Sequence, residues 1–290
     1  MNTNMSKGAK IGVYVFLWVI VFITLIPIVY TASASFKPNM EILAGGTHII
    51  PKNPTFDNYL TVWGMSNTGM KSQNNYADYT LNTIYVSCIT VIITVIGCSM
   101  SAYCFQRGNF PGRKFFYGLF LSTMFISAGT ATLYPLLQLT SKLGMNNRTG
   151  LAIVQAGSGG AANLFLTMGY MRTITKDLDD AAKIDGCSFF GTYWRIVLPL
   201  SKPILATIAL LSFRGSWNNY LLPNLMLAKD KAWTTLVVAV VQLQSSGGAG
   251  ASQYNLMMAG TMLGMMPMLI LFIIMNKSFV AGITAGAVKG

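Results

Sequence analysis

The sequence predicts an all-α integral membrane protein: six transmembrane helices, with a charged loop between the fourth and the fifth. Three observations carry this. Of 290 residues, 53% are hydrophobic and only 10% are charged, whereas a soluble domain carries about 25% charged residues. Apolar stretches of roughly the length that crosses hydrocarbon recur along the chain. Four of the eight acidic residues, Asp177, Asp179, Asp180 and Asp185, are packed into one island, 176–203, between two such stretches.

Residues 1–10 form a short basic N-terminus with Lys7 and Lys10. The first span, about 13–33, is uncharged over 18 residues, Val13 to Tyr30. Ala32-Ser33-Ala34 also resembles a signal-peptidase site, but a signal core runs to only about 7–15 apolar residues. A retained helix is expected. The loop 35–79 mixes charges and contains Pro38, Pro51 and Pro54, and it is expected outside. The second span, about 80–105, is rich in Val, Ile and Thr. These residues favour strands in water, but an uncharged run of this length reads as a membrane helix. Arg107, Arg113 and Lys114 follow it without an acid, which marks a cytoplasmic loop.

The third span is expected at about 115–139 and the fourth at about 150–171. The fourth contains Gly157-Ser158-Gly159-Gly160-Ala161-Ala162. No Lys-Ser/Thr completes a phosphate-binding loop there, so these small residues are read as close helix packing. The fifth span, about 204–222, holds Arg214 and Trp217-Asn218-Asn219, and the sixth, about 256–275, is rich in Met. Its methionines suit adaptable packing. The segment 281–290 is a tail. Spans and connections make up one transmembrane domain, 11–280.

Six spans place both termini inside. Basic residues then divide as twelve inside and seven outside, with Arg214 in the membrane; the sign agrees with the positive-inside rule. The island therefore faces the cytoplasm. The net charge of +12 needs no nucleic acid, because no run of five basic residues is present. One histidine, His48, and four scattered cysteines leave no His-containing triad and no His-rich metal site. No metal site is expected.

Within the island, Asp177 and the acids after it suit the start of a helix. Asp179 and Lys183 at i, i+4 are expected to pair. Asp185-Gly186 ends this helix, and Ser188 caps a second. In the second helix Phe189, Tyr193, Ile196 and Leu200 are expected to form an apolar stripe. A hairpin lying on the lipid surface is the bland alternative. Clustered acids count against it, because interfacial helices favour Lys and Arg on their polar face.

The run Asp180-Ala181-Ala182, Asp185-Gly186, Phe189, Leu198-Pro199-Leu200 and Pro203 resembles the "EAA" loop of permease subunits of binding-protein-dependent ABC importers. Asp180 stands where that family usually has Glu. Phe56-Asp57-Asn58-Tyr59, Ala102-Tyr103, Trp217-Asn218 and Thr284 to Gly290 extend the similarity to the maltose-G type of carbohydrate permease. The resemblance implies a subunit that is not itself an enzyme and binds no cofactor, working with a second permease chain in a prokaryotic inner membrane. It further implies two ATPase subunits, using ATP and Mg and docking at 176–203, and an extracytoplasmic sugar-binding protein. The ATPase-coupling residues it implies are Asp179, Asp180, Ala181, Ala182, Asp185, Gly186, Phe189 and Pro199.

Arg214 is the one charge inside a span. It is read as a substrate contact, a bond to the partner chain or a position near the span's end. Asn218 and Asn219, beside Trp217, either line a polar path for sugar hydroxyls or bond helices together. The rivals are a stand-alone secondary transporter and a membrane enzyme. No span contains an acid for proton coupling, and the catalytic inventory is thin. A non-sugar solute is also open.

Overall fold

The computed structural model describes residues 7–45, 47–64, 75–126, 129–244 and 252–287, and these are helical with no strand. The Ser245 to Gly250 run, Lys71, the first six residues and the last three lie outside the described residues.

The chain divides into two compact units, Met1–Ala77 with Ala239–Met266, and Asp78–Val238 with Pro267–Gly290. In the first unit, α1 (Lys7–Ala34) contains Pro27, and none of its apolar window is buried within the chain. A helix apolar all round and uncovered by its own chain needs lipid or another subunit. Two short helices follow, α2 (Asn39–Leu43) and α3 (Asp57–Val62). Side-chain to backbone bonds hold this segment together. Buried Asn58 donates to the carbonyls of Ser35 (2.8 Å) and Lys37 (2.9 Å) and accepts from Asn255 (2.6 Å). Lys37 is fully buried, donates from its ammonium to the His48 carbonyl, and lies 5.5 Å from the Tyr30 ring. Glu41 accepts from the Lys52 amide at 3.0 Å and lies 2.7 Å from His48 Nε2. These bonds, the first above all, hold its carboxyl below the usual range.

The second unit is built around α4 (Tyr76–Arg107), 32 residues long and the most buried of the long apolar helices. Gly108 ends it: a Cβ there would meet the Cys104 carbonyl at 2.5 Å. Then come α5 (Arg113–Ser122) and α6 (Leu133–Lys142). The expected continuous third span, 115–139, is thus interrupted. Polar Ser122-Thr123 and Thr130–Thr132 turn to the local backbone there: Thr123 and Thr132 donate to carbonyls three residues back, an alternative to helix continuation.

The expected fourth span is a bent pair, α7 (Arg148–Ser158) and α8 (Gly160–Met171), meeting at 56° across Gly159. Asn147 caps α7 by accepting from the Gly150 amide at 2.9 Å. A Cβ added at Gly160 would lie 3.4 Å from the Phe120 ring, an ordinary contact, and one at Gly157 would meet open space.

Then follow α9 (Asp177–Ile184), α10 (Phe189–Leu200), α11 (Lys202–Trp217), α12 (Leu221–Met226), α13 (Leu236–Leu243) and α14 (Tyr254–Ala287). The last helix runs past 275 and absorbs the expected tail as far as Ala287; no proline stands between Pro267 and its end to stop it. Among the described residues, three helices are long and apolar enough to cross a membrane, or up to five if each bent pair is one span.

Candidate functional site

The island folds as two short helices joined by a tight turn. α9 has Asp177, Asp179 and Asp180 in its first turn, where the dipole favours negative charge. It closes with a Schellman motif. The Gly186 amide donates to Lys183 O (3.0 Å) and the Cys187 amide to Ala182 O (2.9 Å). This requires a left-handed residue, and Gly186 has φ +76°. Ser188 then caps α10, its hydroxyl accepting from the Gly191 amide at 3.1 Å. At Leu200 the chain bends by 77° into α11, with Pro203 in the first turn, where a missing N–H is tolerated.

Two expectations are corrected. Lys183 does not pair with Asp179; it pairs with Asp180 at 3.1 Å, and both side chains are about two-thirds exposed or more (72% and 67%). Asp179 lies on the buried face with Ala182 and points at α4. Its Oδ2 is 2.7 Å from Arg107 Nε, with side-chain exposures of 8% for Arg107 and 12% for Asp179. Among the described residues neither carboxylate oxygen has a hydrogen-bond donor of good geometry, so the arginine's charge is what compensates it. Arg107 also donates through Nη2 to the Ile174 carbonyl at 2.7 Å.

The stripe in α10 is also shifted. Its buried residues are Thr192, Tyr193 and Val197, with Ser201 next, while Phe189 and Leu200 are partly exposed. A π turn over Tyr193–Val197 is the cause. Its wider winding keeps i, i+4 positions on one face, where an α-helix would drift to i+7. Tyr193 donates to or accepts from Ser99 Oγ at 2.7 Å, and Tyr103 donates to the Phe189 carbonyl at 3.0 Å. The Tyr103 ring lies 4.5 Å from Phe189 and 5.3 Å from Tyr193. Ala102, Leu164, Met168 and Met171 complete this cluster.

The island therefore has two faces. Asp179, Ala182, Tyr193 and Val197 root it on α4 and α8. The other face is open: Asp177, Asp180, Ala181, Asp185, Gly186 and Pro199 are exposed, with Ile184 (87%), Phe190 and Trp194 among them. Acids beside apolar side chains on a surface of this kind suit a protein partner better than water or anionic lipid.

The chain's residues 97–285 match the family described as binding-protein-dependent transport system inner membrane component. The chain belongs to this family. It is a membrane permease component, a class of subunit that is not itself an enzyme. It is 35% identical to the galactooligosaccharides transport system permease protein GanQ of Bacillus subtilis (strain 168), over 96% of this chain and 94% of that one. It is 33% identical to the arabinooligosaccharides transport system permease protein AraQ of Halalkalibacterium halodurans, over 93% of each chain. A solved bacterial ABC transporter involved in the import of the acidic polysaccharide alginate aligns with a TM-score of 0.77 at 23% identity, covering 96% of this chain and all of that one. This likeness concerns the fold.

The second group of candidates is less convergent. Trp217 is buried and stacks on Phe213, ring centroids 5.4 Å apart. Asn219 accepts from the Leu222 amide at 3.3 Å and so starts α12. Arg214 and Asn218 are exposed. Arg214 lies in the last turn of α11, where the helix dipole favours a cation. No three metal-ligating side chains cluster among the described residues.

A chain of three polar residues is missing from the expectations. Ser87 donates to Ser216 Oγ (3.2 Å), which donates to Gln155 Oε1 (2.6 Å), linking α4, α11 and α7 by buried polar side chains. Arg107 too was foreseen only as a cytoplasmic cation. The available signal was Tyr103 and Arg107 at i, i+4 on one helix face.

Proposed function

We propose that this chain is the permease subunit of an ATP-driven importer that takes up a sugar, di- or oligosaccharide in size, delivered by an extracytoplasmic binding protein. The named relatives, permeases for galacto- and arabino-oligosaccharides, support the substrate class. The observation that carries the coupling is the two-faced island. Its buried face is tied to α4, and its open face carries Asp180 and Asp185 beside Ile184, Phe190 and Trp194.

In this reading the chain pairs with a second permease, and each permease meets one ATPase subunit. ATP and Mg belong to the ATPase, and this chain binds no cofactor. α9 and α10 sit in a cleft of the ATPase. Asp180 faces a basic group of that cleft, Asp179 holds the loop's inner side, and Gly186 supplies the turn between the helices. Ala181 and Ala182 allow close approach on either side of α9, and Phe189 and Pro199 shape α10. Closure of the ATPase pair on ATP moves the loop, and the spans turn from inward-facing to outward-facing. Six spans are proposed: α1, α4, the interrupted segment 115–139, the bent pair α7–α8, α11 with its approach to 222, and α14. They place both termini in the cytoplasm of a prokaryotic cell and the loop on the same side. Arg214 and Asn218 are the residues left open to a passing sugar, with Trp217 and Asn219 shaping the wall behind them.

Uptake by the reconstituted complex tests this. A panel of galacto-, arabino- and malto-oligosaccharides, each with the cognate binding protein, should include one that is accumulated only with ATP. Accumulation of none, or accumulation without the ATPase, would overturn the reading.

A further inference from the structure

Beyond docking, the loop must pass its movement into the spans. We propose that Arg107 is a positioning residue for this step: the buried Arg107–Asp179 pair latches the coupling loop to the end of α4, so that the loop and α4 move as one body. This rests on the docking role proposed above for 176–203.

Four contacts converge on the junction. Arg107 Nε lies 2.7 Å from Asp179 Oδ2, and Nη2 donates to Ile174 O, so one guanidinium holds both α9 and the segment entering it. One turn and two turns back along α4, Tyr103 bonds to the Phe189 carbonyl and Ser99 to the Tyr193 hydroxyl. α9 and α10 are thus each tied to the same helix, at successive turns. The loop's other cations take no share in this. Lys183 is committed to Asp180 on the open face, and Lys176, Arg195 and Lys202 are exposed. Among the described residues no hydrogen-bond donor of good geometry reaches the Asp179 carboxylate, so loss of Arg107 leaves a buried charge without compensation, and the loop has reason to detach.

α4 is also suited to carry the movement. Its 32 residues span about 48 Å at 1.5 Å per residue. Above the junction, its Ser87 bonds to Ser216 of α11 and its Asn82 accepts from Arg148 of α7 at 2.8 Å. A displacement entering at Arg107 therefore reaches α7 and α11 through a single helix. Bistable packing, not continuous deformation, is what turns such a shift into two states.

The test uses the assembled complex of this chain, its partner permease and the ATPase, with the native cysteines replaced. Spin labels are placed at Asn109→Cys, just past α4, and Lys183→Cys, on the open face of α9. Their distance is measured at rest and after trapping with ATP, Mg and vanadate. The latch predicts one narrow distance, the same in both states. Arg107→Met should broaden it at rest and shift it on trapping, and Arg107→Lys, which keeps the charge, should broaden it less. A wild-type distance that changes on trapping overturns the latch, as does an Arg107→Met distance identical to wild type in both states. If Arg107→Met does not assemble, Arg107→Lys decides: broadening on trapping supports the latch, and a wild-type distribution overturns it. The mobility of the label at 183 reports docking separately. A freely tumbling spectrum in the complex counts against the docking role, whatever the distance to 109 shows.

Discussion

Asp179 and Asp180 are adjacent and chemically identical, yet their surroundings predict opposite defects. Asp180 makes one exposed pair with Lys183 at 3.1 Å, a contact worth about 0.2–1 kcal/mol. Asp180→Lys should leave the thermal midpoint of the detergent-purified chain within a degree or two. Asp179 is buried against Arg107 at 2.7 Å. Removing one member of a buried pair costs about 3–5 kcal/mol, and a chain of this size loses roughly 2–4 °C per kcal/mol. Asp179→Ala should therefore lower the midpoint on the order of 10 °C. Replacing both partners, Arg107→Met with Asp179→Leu, removes the uncompensated charge and should recover most of that loss. ATPase co-purification is expected to run the other way, with Asp180→Lys losing the ATPase from a stable permease pair. Thermal unfolding followed by size-exclusion chromatography reads the first quantity, and ATPase recovered per permease reads the second. Equal midpoints for the two single variants, or full ATPase recovery with Asp180→Lys, would refute the assignment of one aspartate to each face.

Gly186 has a positive φ and open space where a Cβ would lie, so its restriction is one of backbone alone. Gly186→Asn should transport nearly normally, while Gly186→Val, penalised by about 1–2 kcal/mol or more in the left-handed region, should lose ATPase-coupled uptake with insertion intact. At Gly150 the obstacle is steric, since a Cβ would lie 2.0 Å from Met145 O. Gly150→Ala should destabilise by about 1–3 kcal/mol, read as a lower thermal midpoint. Glu41 is held below its ordinary value first by the Lys52 amide. Its contribution is therefore complete above the unfolded carboxylate value and is lost as pH falls through the lowered folded one. Hydrogen exchange at the Lys52 amide should show protection at neutral pH that drops in acid, and Glu41→Gln should abolish that step.

Much of this was legible before the structure. The turn at Gly186, the Ser188 cap and the two-helix form of the island follow from local chemistry, because each is decided within four or five residues. The long helices α1, α4 and α14 follow from apolar length alone. What escaped depends on tertiary contacts. Asp179 chose Arg107, seventy-two positions away, over Lys183 on its own helix, because α9 buries the face carrying Ala182. The stripe of α10 moved because a π turn changes the period, and no residue type announces such a turn. The break in the third span was hidden because Thr and Ser are apolar enough to extend a hydropathic run, yet able to bond to their own backbone. For Arg214, Trp217, Asn218 and Asn219, residue type suggested a polar path. The structure commits Trp217 and Asn219 to packing and capping.

The most direct measurement is photocrosslinking from Ile184, the most exposed of the island's large apolar side chains. With benzoylphenylalanine at this position, illumination of native membranes should yield an adduct of this chain with the ATPase subunit. The adduct should disappear in the Asp180→Lys background. Adducts with lipid alone, or an ATPase adduct unaffected by Asp180→Lys, would contradict docking through this loop.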